Sequence, residues 1–196
     1  EIPVGARNIA LGGATVALPG DLSALFRNPA LLATDRSYRL NLNHQSWFQG
    51  LNEEAAILAF ALPQGWGGTA IHVRYLHMDP IPAFDSSLEQ VGEYQVYDLA
   101  AGLSWANRFH RRLDLGFNFS GIRQKLADIS GSGWSLDLGT GLVAAGYYWS
   151  ASLRNISGGI QFEEDRFDLD RELSFGVARF FPSLGTIATF EYRHPD

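Results

Sequence analysis

The chain has no cysteine, which removes disulfides, thiolate nucleophiles and cysteine-ligated metals. It has no apolar run of the ~18 residues that a spanning helix needs. That excludes a transmembrane helix but not a membrane barrel, whose strands are short and only mildly hydrophobic. There is no basic surplus, with 15 Lys and Arg against 21 Asp and Glu and a net charge of -6, so a nucleic-acid partner is not expected. Charged residues make up only 18% of the chain, whereas aromatics reach 13% and glycines number 21. Aromatic residues suit strands and interfacial girdles, and glycines suit tight turns. A mean hydropathy of -0.06 is what alternating lipid-facing and lumen-facing residues average to. At 196 residues the chain fits one domain with ample core. It starts at Glu1 without Met, read here as a mature N-terminus left after signal-peptide removal.

From Ser37 onward one unit repeats, about ten residues of alternating apolar and polar side chains and then a turn. Asp114-Leu115-Gly116-Phe117-Asn118-Phe119-Ser120 and Trp134-Ser135-Leu136-Asp137-Leu138 are the clearest copies. Nine strands are predicted, near 37–48, 53–63, 67–79, 95–107, 111–125, 133–144, 146–156, 171–181 and 185–193. Tight turns such as Pro63-Gln64-Gly65 and Ala144-Ala145-Gly146 alternate with two longer loops, 80–94 and 157–170. One face carries Tyr97, Leu99, Leu103, Trp105, Leu115, Phe117, Phe119, Trp134, Leu138, Leu142, Trp149 and Leu153. The other carries Arg39, Asn41, Asn43, His72, Arg74, Asp98, Ser104, Asp114, Asn118, Ser120, Ser135, Asp137, Ser152 and Arg154. A dry sandwich core cannot hold that many ionisable groups, but a wet or plugged lumen can. The fold class is therefore all-β, an antiparallel up-and-down transmembrane β-barrel. A sheet with one solvent face is the plainer reading of the same alternation.

Residues 1–36 differ in kind and are expected to form a plug segment, with 37–196 supplying an incomplete barrel. Asp21 is placed as N-cap of a short helix over 22–26, which Asn28-Pro29 ends. A segment this short must pack against, or inside, the strands that come after it.

Catalytic and metal chemistry find little support. His72 and His77 fall on opposite faces of one strand, and no ligand cluster has a recognised spacing. No serine sits in a nucleophile elbow, so no enzyme activity, cofactor or metal is expected. The acidic stretch Glu163 to Glu172 lacks the spacing of a calcium loop and reads as a solvated surface. Gly12-Gly13 has no phosphate-loop continuation.

The segments Gly5-Ala6-Arg7-Asn8-Ile9-Ala10-Leu11-Gly12-Gly13-Ala14 and Leu25-Phe26-Arg27-Asn28-Pro29-Ala30-Leu31-Leu32 resemble the opening of the PorV/PorQ family. That family lies within the FadL-like superfamily of outer-membrane β-barrels. Tyr97-Asp98-Leu99, Gly133 to Gly139 and Leu153-Arg154-Asn155-Ile156 extend the likeness along the strands. The resemblance implies a plug inside a fourteen-strand barrel, with Asn28, Pro29 and Ala30 as a plug or gate element. It also implies the outer membrane of a Gram-negative-type bacterium, and a role in protein export or surface attachment through type IX secretion. Nine strands fall short of fourteen, so the chain is expected to be part of a longer protein. A smaller barrel, or one shared with another subunit, is the lesser alternative.

The expected function is thus non-enzymatic. Partners would be outer-membrane lipid and other envelope or secretion proteins, met through loops carrying Glu89, Glu163, Glu164 and Asp165. The lumen charges Arg39, Arg74, Asp98, Asp114, Asp137 and Arg154 should all be paired. The alternative is a channel for hydrophobic solutes, with an apolar pocket near Phe26, Leu25, Gly102 and Gly139. A structural envelope or surface-assembly subunit is a further alternative.

Overall fold

The structure, a computed structural model, describes residues 2–35, 37–162 and 165–195. Among the described residues, twelve strands come after an N-terminal segment without strands. They are β1 (Arg39–Ser46), β2 (Leu51–Ala61), β3 (Gly68–Met78), β4 (Ile81–Phe84), β5 (Gln90–Tyr94), β6 (Val96–Phe109), β7 (Leu113–Leu126), β8 (Ile129–Ala144), β9 (Tyr147–Phe162), β10 (Asp165–Phe167), β11 (Glu172–Phe181) and β12 (Thr186–Pro195). Nine of them form one antiparallel meander in the order β1-β2-β3-β6-β7-β8-β9-β11-β12, each expected from the alternation; β10 adds to β9.

Both longer loops contain strands. The 80–94 loop holds a separate hairpin, β4 paired with β5. The 157–170 loop is a correction: β9 runs on to Phe162 and β10 folds back on it. The alternation fades there because three residues, 154–156, stand opposite Asp137 in a bulge, and Gly158-Gly159 offer no side chains to show a face. Asn155 holds a positive φ of 53° in the bulge, and its backbone N–H donates to Asp137 Oδ1 at 2.8 Å.

Connections at one end of the sheet are short. They run through Leu62–Gly67, His110–Arg112, Ala145-Gly146 and Pro182–Gly185. Ala145 and Gly146 both take positive φ, the two-residue hairpin geometry that matches strand twist. Both long connections, β3 to β6 and β9 to β11, leave from the opposite end.

The N-terminal segment contains helix α1 (Ala6–Ala10) and two 3-10 turns, Leu22–Phe26 and Pro29–Thr34. Asp21 caps the first, its side chain accepting from Ser23 N–H. Asn28 and Pro29 end that turn as expected, but Asn28 also caps the second and Pro29 opens it, where proline's fixed φ and missing N–H cost nothing.

A flat nine-strand sheet would be about 38 Å across at ~4.8 Å per strand. Here the first 3-10 turn touches both edges. Ser23 and Gly5 pack beside Asn43 of β1, while Arg27, one turn on, is ion-paired with Glu191 of β12 at 2.7 Å. The sheet therefore curls into a trough around the N-terminal segment. Among the described residues β1 and β12 do not pair with each other, so the trough is open. Among the described residues no helix is long and apolar enough to cross a membrane, which says nothing of strands.

Candidate functional site

The trough has two unlike faces. The inner one is lined by small and polar side chains, with Ser104, Asp114, Asn118, Ser120, Ser135, Asp137, Ser152 and Ser174 all buried. The outer one is bare hydrophobic surface. Leu103 is 55% exposed, Phe117 40% and Trp149 48%. Aromatic neighbours run across it, Trp105 with Phe117 at 5.8 Å and Phe119 with Trp134 at 5.9 Å between ring centroids. Both faces carry the residues that the alternation assigned to them.

The N-terminal segment fills the short-turn half of the trough. Leu22, Leu25, Leu32 and Ala33 pack against Ile57, Ala59, Ala70 and Ala106, while Val16, Ala17, Ala24 and Leu31 pack against Tyr148 and Ala178. Asn28, Pro29 and Ala30 are pressed onto the wall. The Asn28 amide donates to Val16 O at 2.9 Å and Thr140 O at 3.2 Å, and its oxygen accepts from Ala30 N–H at 3.0 Å. Gly116 and Gly139 make room for this approach. A Cβ on Gly116 would sit 2.7 Å from Ala30 N, and one on Gly139 would overlap the Asn28 oxygen. These are the contacts of an anchor.

A second tie is ionic. The Arg27 guanidinium contacts Glu191 at 2.7 Å and Glu172 at 2.8 Å. Arg193 joins Glu191 at 2.6 Å, and Arg154 joins Glu172 at 3.6 Å. Glu191 also accepts the Val16 N–H at 2.8 Å. Sequence reasoning missed Glu191, Glu172 and Arg27 as one network, because its members lie far apart in the chain. The only signal for them was the even-odd parity of the strands.

The expected inner-face charges have different fates. Arg39 pairs with Asp35 at 3.0 Å and donates to Gly20 O at 2.9 Å. Arg74 pairs with Glu53, a buried carboxylate not singled out from sequence, and donates to Ile2 O at 2.9 Å. Asp114 receives both Arg108 (2.6 and 2.7 Å) and the Tyr148 hydroxyl (2.9 Å). Arg154 meets Glu172. Asp98 and Asp137 depart from the expectation. Asp98 is hydrogen-bonded by Gln124 at 2.9 Å, and Asp137 by Asn118 at 2.8 Å and Asn155 N–H. Among the described residues neither is paired with a cation. Of the loop acids, Glu89 sits in the turn between β4 and β5, where its N–H donates to Asp85 at 3.0 Å. Asp165 begins β10, and Glu163 and Glu164 lie outside the described residues.

Above the N-terminal segment, in the half of the trough nearer the long connections, lies a cavity of about 590 Å³. Ile2 and Phe26 form its floor, and His72, Arg74, Asp98, Asn118, Gln124, Asp137, Arg154 and Glu172 contribute to its walls. The pocket expected near Leu25, Gly102 and Gly139 takes another form. Leu25 is buried in the apolar cluster, Gly139 is covered by Asn28, and Gly102 by His72. Of that set only Phe26 reaches the cavity, edge-on to His72 at 5.2 Å.

Comparison of the chain with protein-family models, with curated proteins and with solved structures yields no match. Among the described residues no cluster of His, Asp and Glu has the arrangement of a metal site.

Proposed function

We propose that this chain is wall and stopper of an outer-membrane β-barrel of the PorV/PorQ type, a non-enzymatic accessory of protein export or surface attachment by a type IX-like route. One observation carries the reading. The covered face of the sheet is lined by small and polar side chains, several of them charged, and the uncovered face by large apolar ones, the reverse of a water-soluble sheet protein and the arrangement of a barrel in lipid. On the outer face of β6 an unbroken apolar series runs from Tyr97 to Trp105, with Leu99, Ala101 and Leu103 between these two aromatics and Asn107 beyond them. That series is about 26 Å long at ~3.3 Å per residue, or about 20 Å at a ~40° tilt, near the ~25 Å apolar band of such barrels. Short turns throughout one end, with both long connections at the other, fit the same architecture.

Open strand edges are prohibitive in hydrocarbon. In this reading further strands join β1 to β12, completing a barrel of about fourteen strands as the family resemblance implies. Two features favour export over uptake of hydrophobic solutes. Buried side chains fill the short-turn half of the trough, and charged side chains, among them Arg74, Asp98, Asp137, Arg154 and Glu172, share the walls of the remaining cavity with apolar ones. The β4–β5 hairpin also presents Ile81, Phe84, Leu88 and Val91 to solvent, a surface for an envelope or cargo protein at the long-connection end.

The test is isolation of the native protein in mild detergent, with identification of the proteins that stay bound, before and after excision of residues 80–94. Secretion components or exported proteins lost on excision support the reading. Unchanged export and surface attachment of every cargo would overturn it.

A further inference from the structure

The apolar outer face stops at the long-connection end of β7, and the stop is cationic. Ile122 and Gln124 line the cavity, so Arg123 and Lys125, one residue on from each, point outward. The outer series of β7 thus runs Leu115, Phe117, Phe119, Gly121, Arg123, Lys125. On β8 the change to polar residues comes at the same register. Gly121 stands opposite Trp134, Arg123 opposite Ser132 and Lys125 opposite Ser130. Cross-strand neighbours on one face are about 5 Å apart between Cβ atoms, and residues two apart on a strand about 7 Å. Two cations and two hydroxyls therefore share one patch, bordered by Trp134 and by Tyr97, which stands opposite Lys125 on β6.

Within the protein this positive charge goes unmatched. Arg123 is exposed, and among the described residues neither cation has a carboxylate at ion-pair distance. Lys125 has a neutral partner, the Gln95 amide oxygen at 3.3 Å. Two acids of the outer face at this end are engaged elsewhere, Glu54 by the His44 and His77 rings at 3.1 Å and Asp168 by Arg166 at 3.7 Å. On the inner face, by contrast, Arg27, Arg74, Arg108 and Arg154 all meet acids. Like charges two apart on a strand repel until an anion comes between them. At the edge of hydrocarbon, the anions within reach of outward-pointing cations are those of the headgroup layer.

We propose that Arg123, Lys125, Ser130 and Ser132 bind the phosphate of an anionic lipid headgroup, in the leaflet nearer the long connections. The Arg123 fork takes two phosphate oxygens, Lys125 adds a point charge, and the serine hydroxyls donate to the remaining lone pairs. The acyl chains then run along the outer face past Trp134 and Phe119, whose rings lie 5.9 Å apart. A free phosphate would meet the same donors but would leave that adjoining apolar surface unused. The inference rests on the barrel reading and adds to it a lipid class that the wall selects.

Trp134 borders the patch and reports on it. The test places the intact chain, with Trp134 as its sole tryptophan, in phosphatidylcholine vesicles. These hold a minor share of either brominated phosphatidic acid or brominated phosphatidylcholine. Phosphatidic acid should quench more strongly, with a preference of roughly fivefold per cation, the effect of ~1 kcal/mol each. Arg123→Gln with Lys125→Gln should bring the two lipids to parity, while Arg179→Gln, at the opposite end of the sheet, should change nothing. Millimolar inorganic phosphate, against chloride at matched ionic strength, should leave the preference in place. Native mass spectrometry of the parent chain, free of tryptophan replacements, should show phosphatidic acid retained, and lost in the double variant. Equal quenching by both lipids would overturn the site and leave the barrel reading standing. A preference that survives the double variant, or that inorganic phosphate abolishes, would overturn it too. No quenching by either lipid would overturn the barrel reading and the site with it.

Discussion

Arg27 and Glu191 meet at 2.7 Å with both side chains almost wholly buried, although 164 residues separate them in the chain. The contact joins the N-terminal segment to the last strand of the meander. It spans the side of the trough where β1 and β12 fail to meet, so the segment itself holds the two edges near each other. Removing one member of a buried ion pair leaves an uncompensated charge. Arg27→Met should destabilise the protein by about 3 kcal/mol, at the lower end for such pairs because Glu191 retains Arg193. Chemical denaturation in detergent measures it. In a double-mutant cycle Glu191→Gln should add less to Arg27→Met than it costs alone.

The anchor at Asn28 predicts a position-dependent glycine series. Gly139→Ala and Gly116→Ala force the second 3-10 turn off the wall, and each should cost about 1–3 kcal/mol as an overpacked contact. Gly121→Ala is the control, since the nearest atom to a Cβ there is 3.9 Å away, and it should melt with the parent. Equal melting of all three variants would refute the anchoring role.

Asn28→Ala removes an N-cap and the amide that donates to the Val16 and Thr140 carbonyls. The cap alone is worth about 1 kcal/mol, and the lost hydrogen bond to the Thr140 carbonyl adds about 1 kcal/mol, while Val16 O keeps the bond from Ser150 Oγ at 2.7 Å. Limited proteolysis should then cut within residues 2–35 before it cuts the strands. Cleavage starting in the strands would show that Asn28 does not hold the segment.

The apolar outer face separates lipid from water as its environment. Leu103→Arg places a charge within the outer apolar series of β6. In lipid this costs about 2–4 kcal/mol near the midplane, whereas on a water-facing sheet it would be neutral and would improve solubility. Folding yield into lipid vesicles, compared with the parent chain, decides between the two.

The strands and their faces were legible because a period of two survives wherever each face has a uniform chemistry. Leu115, Phe117 and Phe119 against Asp114, Asn118 and Ser120 show it plainly. Legibility failed where that condition failed. The bulge at 154–156 and the side-chain-free Gly158-Gly159 hid the second half of β9, and Pro80 and Pro82 disguised β4 as loop. The five residues of α1, Ala6–Ala10, give no helical signal in the sequence, because one helical turn carries too few side chains to show a period. At the site, parity placed Asp98, Asp114 and Asp137 on the inner face but could not choose their partners. Arg108 reaches Asp114 from the partner strand across the β6–β7 hairpin. Among the described residues Asp137 is reached only by amides, one of them freed by the bulge.

The central claim, that the outer face of the sheet meets hydrocarbon, is tested most directly by tryptophan fluorescence in vesicles with brominated acyl chains. Variants retaining only Trp105, Trp134 or Trp149 report from the outer face. Strong quenching in all three, deepening as the bromine is placed nearer the headgroup for the aromatics that end the series, is the predicted result. Recovery of the folded chain in the aqueous phase with unquenched tryptophans would contradict the account.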